Sequence, residues 1–198
     1  MTLRTQVAII GAGPAGSLLS HLLHRSGIGS IVVERSSRNH VLDRIRAGVL
    51  EWGSVEVLRA AGLDARMDAE GHVHDGAALV WGGREAFFID INRHVGSHFM
   101  SYGQTKMQED LYAAADVRHA AIVFEAANVE VHDPLSDRPS ITFDVGGIAE
   151  RVDADYVVGC DGYHGAARPA RVVRETSLIS KVVGLISTRS SEDGIRIL

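Results

Sequence analysis

The segment from Val7 to Glu34 constrains the fold more than any other part of this 198-residue chain. Val7-Ala-Ile-Ile10 is an apolar run of strand length that leads straight into Gly11-Ala-Gly-Pro-Ala-Gly16. Leu18, Leu19, Leu22 and Leu23 then recur at helical spacing, and Ser30-Ile-Val-Val-Glu34 reads as a second strand closed by a carboxylate. A βαβ unit with G-x-G-x-x-G at its first turn and an acid after its second strand is the signature of a dinucleotide site. Gly11 permits the tight turn, Gly13 lets the backbone approach a pyrophosphate, and Gly16 lets helix and strand pack closely. Free N–H groups at the helix start, around Ala15 and Gly16, carry the positive end of the helix dipole toward the phosphates. Glu34 is placed to accept hydrogen bonds from ribose hydroxyls.

Composition narrows the class. An apolar share of 45% with 23% charged residues is that of an ordinary globular domain with a real core. The formal charge of −5 argues against a general nucleic-acid binder. The single cysteine, Cys160, excludes an internal disulfide framework and fits a reducing, cytoplasmic setting. The apolar start is only a strand long and is broken by glycines, unlike a signal peptide, and no apolar run approaches the roughly 20 residues of a membrane span. The histidines have no carboxylates at ligand spacing, so no metal site is expected.

Along the chain, Arg35 to His40 reads as a polar loop, and Glu51 to Ala61 has helical spacing ended by Gly62. Strands at Ala77–Trp81 and Glu85–Ile91 flank Gly82-Gly83, a hairpin signal. A helix is expected from Gln104 to Ala115. Strands follow at Ile122–Phe124, Asn128–His132, Ser140–Val145, Ala149–Asp153 and Asp155–Val158, the last running into Gly159-Cys-Asp-Gly162. Leu178 to Ile186 has the makings of one more strand, and Ser187 to Asp193 of a solvated tail.

At the second glycine cluster the motifs add up to a family. Gly11–Gly16, Glu34-Arg35, Asp43-Arg-Ile-Arg-Ala-Gly-Val-Leu-Glu51, Tyr102-Gly-Gln-Thr105 and Gly159-Cys-Asp-Gly-Tyr-His-Gly165 together resemble the aromatic-ring flavoprotein monooxygenases, in order and in register from about Thr5 to Arg168. The resemblance is strongest to the branch that hydroxylates 4-hydroxybenzoate to 3,4-dihydroxybenzoate with FAD, NADPH and O2. It implies an α/β fold: a Rossmann-like βαβ parallel sheet with an antiparallel β-meander, plus the beginning of a β-rich substrate domain. It implies an FAD-binding domain over 1–168, with strands near 72–100 interleaved from the substrate domain. Residues 169–198 form a divergent tail, read as truncated or frame-shifted.

The resemblance also assigns roles. Gly11, Gly13, Ala15, Gly16 and Glu34 hold the AMP half of FAD, and Arg35, Arg44 and Arg46 lie along the diphosphate and the NADPH path. Ala47-Gly48-Val49 matches the flavin-contacting loop, Gln104 the ribityl contact, and Asp161-Gly162 the second FAD fingerprint. His164 and Arg168 match positions that receive NADPH phosphates, and His74 the outer end of a proton relay from the substrate phenol. Arg38 adds positive charge beside the loop that selects the nicotinamide, where Ser36 and His40 depart from the glutamine and tyrosine frequent in the family; NADH therefore stays open beside NADPH. The family's Gly-Asp-Ala motif and its substrate-binding serine, arginine and tyrosines are absent. The expected protein is therefore an N-terminal portion, inactive alone, with an uncovered apolar strand at Ile141–Val145. The complete form takes a small aromatic acid and O2 and associates as a homodimer. A non-catalytic FAD-binding fragment and another FAD or NAD oxidoreductase of the same fold are the alternatives.

Overall fold

The computed structural model describes residues 2–44, 46–80, 82, 87–163 and 165–167. The chain opens with strand β1 (Thr2–Ile10), helix α1 (Pro14–Arg25) and strand β2 (Ser30–Val33). Helix α2 (Arg38–Asp43), strand β3 (Val49–Glu51) and helices α3 (Trp52–Ala60) and α4 (Ala65–Glu70) follow. Then come β4 (His72–His74), β5 (Gly76–Leu79), β6 (Phe87–Asp90), α5 (Ile91–Val95), β7 (Phe99–Ser101) and α6 (Gln104–Val117). Strands β8 (Ala121–Val123), β9 (Ala127–His132), β10 (Ser140–Val145) and β11 (Ile148–Gly159) complete the described elements.

The main sheet has six strands in the order β8-β2-β1-β11-β10-β9. β8, β2, β1 and β11 run parallel, and β10 and β9 extend the sheet as an antiparallel meander. β1 is central, which explains its continuous apolar run: Val7 to Ile10 are all buried, as a parallel strand covered on both faces requires. Val7 and Ile9 face a cluster with Val32, Tyr112, Leu19 and Leu23, under α1 and α6. Ala8 and Ile10 face the opposite cluster with Val33, Ile141, Phe143 and Val152. A smaller core joins Val55, Leu58, Met67, Met100 and Tyr102, and Leu18 of α1 packs against it. This core carries the three-stranded sheet β3-β7-β4, while β5 and β6 form a hairpin apart.

Several expectations change. The polar stretch 35–40 contains the start of α2, because the Ser37 hydroxyl accepts the His40 N–H at 3.2 Å and caps it. Ala149–Asp153 and Asp155–Val158 belong to one strand, β11, which pairs parallel with β1 from Arg151 to Gly159 and antiparallel with β10 from Ile148 to Asp153. Ile141–Val145 is covered: β10 is hydrogen-bonded on both sides, and Ile141 and Phe143 are buried. Five short elements, β3, α4, β4, α5 and β7, had no signal in the periodicity. The strand expected at 178–186, the polar tail and the boundary at 169 lie outside the described residues. No helix among the described residues is long and apolar enough to cross a membrane.

Two glycines at the first turn, Gly11 and Gly16, leave no room for a side chain. Gly11 has φ +102°, and a Cβ there would stand 2.6 Å from the Cys160 carbonyl oxygen; a Cβ on Gly16 would press into the Gly11 carbonyl. Gly16→Ala is expected to lower stability by about 1–3 kcal/mol through this overpacking. A drop in urea midpoint at unchanged slope measures it.

Candidate dinucleotide site

A cavity of about 450 Å³ opens at the carboxyl ends of β1, β2 and β11. Open α/β sheets bind ligands at this edge, where neighbouring strands leave the central one in opposite directions. Gly11 and Gly13 reach it from the first turn, Glu34 and Arg35 from the end of β2, and Cys160, Asp161 and Gly162 from the end of β11.

The turn is stapled from both neighbouring strands. The Gly11 N–H donates to the Val33 carbonyl at 2.7 Å, and the Cys160 N–H donates to the Ile10 carbonyl at 2.7 Å. Glu34 spans two loops: Oε2 accepts the Ala12 N–H and Oε1 the Ser36 N–H, each at 2.9 Å. Each carboxylate oxygen keeps a lone pair for a further donor, such as a ribose hydroxyl. The α1 N-terminus has no side-chain cap, and nothing lies within 4 Å of where a Gly13 Cβ would point. Uncapped N–H groups beside open space are what an anion at a helix N-terminus needs.

Three guanidiniums, Arg35, Arg44 and Arg46, line the same cavity, exposed and without a carboxylate partner among the described residues. Arg38 does not join them. Its guanidinium is held by both Asp116 oxygens, at 2.9 and 2.6 Å, and lies 5.0 Å over the Tyr112 ring. That pairing keeps the Asp116 carboxyl below the usual carboxylate range and spends the charge that the sequence had suggested for a nucleotide phosphate.

Gln104 and Thr105 bring the first turn of α6 to the cavity, also without a side-chain cap. Ala15 and Gly16 sit in the first turn of α1 behind Gly13. Ala47, Gly48 and Val49 lie where the chain enters β3, beyond the residues lining the cavity. Gly48 is there for a close approach: its carbonyl accepts the Tyr102 N–H at 2.8 Å, and a Cβ would stand 2.7 Å from the Gly103 Cα. Asp161 accepts the Ala167 N–H at 2.9 Å, which shapes the second glycine cluster. His74 is on β4, exposed, stacked on Phe99 at 5.1 Å and separate from the cavity. His164 and Arg168 lie outside the described residues. Burial, and then the neighbouring Asp161, push the Cys160 thiol up to about 11, in keeping with a packed rather than nucleophilic cysteine.

Sequence reasoning missed the buried donors behind the turn. The Ala12 carbonyl accepts the Ser17 hydroxyl at 2.9 Å, the Tyr112 hydroxyl at 2.9 Å and the Gln108 Nε2 at 3.2 Å. The signal was present in the i, i+4, i+8 spacing of Gln104, Gln108 and Tyr112, a single helix stripe.

A parallel sheet, an unblocked glycine turn with a carboxylate across it, and free guanidiniums around one cavity define an α/β protein built for a dinucleotide such as FAD. The chain belongs to the FAD-binding-domain family, whose model (FAD binding domain) matches residues 4–192. It is 39% identical over 168 residues to p-hydroxybenzoate hydroxylase of Acinetobacter baylyi, an alignment covering 84% of this chain and 41% of that protein. It is 33% identical over 172 residues to 6-methylpretetramide 4-monooxygenase of Streptomyces rimosus, covering 83% of this chain and 40% of that one. Among solved structures, OxyS anhydrotetracycline hydroxylase from Streptomyces rimosus superposes with a TM-score of 0.71 at 25% identity, covering 84% of this chain and 33% of that chain. The chain thus spans about two-fifths of the length of these curated relatives.

Glu34→Ala removes the carboxylate at the cavity and the staple between two loops. FAD retention is expected to weaken by about 1–3 kcal/mol, the cost of leaving bonds to a charged group unmade. Flavin absorbance co-eluting on gel filtration measures it; unchanged content would remove Glu34 from the site. Cys160, in turn, is expected to react with iodoacetamide at pH 8 roughly a hundredfold more slowly than a free cysteine, following its scarcer thiolate.

Proposed function

We propose that this chain is the cofactor-binding part of an FAD-dependent hydroxylase that converts 4-hydroxybenzoate to 3,4-dihydroxybenzoate with NADPH and O2. The observation that carries the cofactor is the single cavity shared by Gly13, Glu34, Arg44, Arg46, Gln104 and Asp161. The substrate rests on the 39% identity to p-hydroxybenzoate hydroxylase. Another phenolic substrate is the second reading, favoured by the 33% identity to a 6-methylpretetramide monooxygenase.

Bound FAD would supply the redox chemistry, and the chain supplies position and electrostatics. In this reading the N–H groups of Gly13, Ala15 and Gly16 and the cations of Arg44 and Arg46 hold the diphosphate. Glu34 takes the ribose hydroxyls, Gln104 the ribityl chain, and Asp161 with Gly162 closes the second side. Ala47 to Val49, small and held against Tyr102, borders the flavin ring. His74 is exposed, as a group trading the phenol's proton with water must be. His164 and Arg168 complete the nicotinamide path, and the same reading includes a cytoplasmic homodimer.

With Arg38 tied to Asp116, NADPH preference falls to Arg35, Arg44 and Arg46. In a chain extended to the relatives' length, kcat/KM is expected to favour NADPH over NADH, and Arg35→Ala to lower the NADPH value alone. Equal values for the two nucleotides in the unmutated protein would end this assignment.

Hydroxylation needs a dry pocket around the ring. In this chain Leu79, Phe87 and Phe88 stand 56%, 67% and 55% exposed on the β5–β6 hairpin and form no such wall. The purified 198-residue chain, given FAD, NADPH, O2 and 4-hydroxybenzoate, is therefore expected to make no 3,4-dihydroxybenzoate above a no-protein control. Catalytic product formation would overturn this.

A further inference from the structure

We propose that Gln108, Tyr112 and Ser17 are positioning residues that aim the Gly13 N–H at a ligand phosphate by holding the Ala12 carbonyl from behind. The inference rests on the FAD-binding reading above and goes beyond it, since none of the three side chains belongs to the glycine fingerprint.

Three donors converge on one oxygen: Ser17 Oγ at 2.9 Å, Tyr112 Oη at 2.9 Å and Gln108 Nε2 at 3.2 Å. A carbonyl has two lone pairs, so the site invests more donors than the oxygen needs. All three side chains are buried, at 2%, 1% and 3% exposure, where hydrogen bonds order a group most firmly. Gln108 shows which requirement wins. Its Nε2 donates to Ala12 and, at 3.2 Å, to the Ser17 hydroxyl, while its Oε1 is buried with no partner. Turning the carboxamide over would place Oε1 against the Ala12 oxygen, so the orientation is dictated by that carbonyl.

The consequence lies on the far side of the same peptide. The chain contains no cis peptide bond among the described residues, and a planar trans unit points its N–H opposite its C=O. Holding the Ala12 oxygen toward α6 therefore turns the Gly13 N–H away from it. Gly13 lines the cavity, has open space before it, and its N–H has no partner among the described residues. Hydrogen bonds accepted by a carbonyl also polarise the N–H of the same peptide and strengthen it as a donor. Ser17, Gln108 and Tyr112 thus convert one glycine amide into an oriented, polarised phosphate donor before any ligand arrives.

The test measures binding of ADP and adenosine to the purified chain by NMR titration, with Tyr112→Phe, Gln108→Leu and Ser17→Ala variants checked for folding by circular dichroism. ADP carries the diphosphate and adenosine does not. Each variant is expected to raise the ADP Kd roughly three- to tenfold, as loss of one buried bond in a cooperative set implies, with adenosine changed less than about twofold. The Gly13 amide proton is expected to move upfield in the free variants as its polarisation falls. Equal weakening of both ligands would reduce the cluster to a structural role and overturn the proposal, as would an unchanged ADP Kd. If the unmutated chain binds neither ADP nor FAD, the dinucleotide reading fails first, and this inference with it.

Discussion

The candidate site depends on the peptide between Ala12 and Gly13 being held in one orientation. Its carbonyl is engaged by Ser17, Gln108 and Tyr112, and the N–H of Ala12 by Glu34. The preceding Gly11 is bonded to β2 through Val33, and the strand end at Ile10 to Cys160 beyond β11. The three-residue turn between β1 and α1 is thus tied to two strands and two helices. The glycines make the turn geometrically accessible, but a glycine-rich segment loses more conformational freedom on folding than any other. The surrounding bonds offset that loss and leave the cavity-facing side bare.

Charge is arranged on the same plan. The chain carries a formal −5, yet Arg35, Arg44 and Arg46 gather at one cavity without an acidic partner among the described residues, joined by the uncapped starts of α1 and α6. Several cations elsewhere are paired: Arg38 with Asp116, Arg59 with Asp68, Arg66 with Glu109 and Lys106 with Glu70. Arg66 and Lys106 bind α4 to α6, and the Tyr102 hydroxyl, donating to Asp110 at 2.5 Å, ties the same helix to the small core. These pairs are exposed and each contributes little to stability. Their effect is local, because they take up cations around α4 and α6 while the cavity's guanidiniums stay without an ion pair among the described residues.

The fold was legible where one periodicity was long and its punctuation sharp. Val7–Ile10, the leucines of α1 and the strand Ser140–Val145 each announced themselves. The short elements β3, α4, β4, α5 and β7 did not, because three to six residues are too few to establish a period. β11 was divided in error because its partners change along it, Ile148–Asp153 pairing with β10 and Arg151–Gly159 with β1, and the exposed Asp155 interrupts its apolar sequence. Of the motif residues, Gly11, Gly13, Glu34, Arg35, Arg44, Arg46, Gln104, Asp161 and Gly162 share one cavity, while Ala47, Gly48, Val49 and His74 lie apart from it. Arg38 was the misreading, since a sequence shows a charge but not the Asp116 that occupies it 78 positions away.

The sequence by itself determined the βαβ start, the glycine turn, the carboxylate that faces it and the membership in a flavin-binding family, since each is a local pattern in which residue type dictates backbone geometry. Tertiary structure alone decided which arginines stay free, that Gly48 yields to Tyr102, and that helix α6 supplies the donors behind Ala12. Those outcomes depend on contacts between residues 54 to 100 positions apart, and such contacts exist only once the sheet has brought the ends of β1, β2 and β11 together.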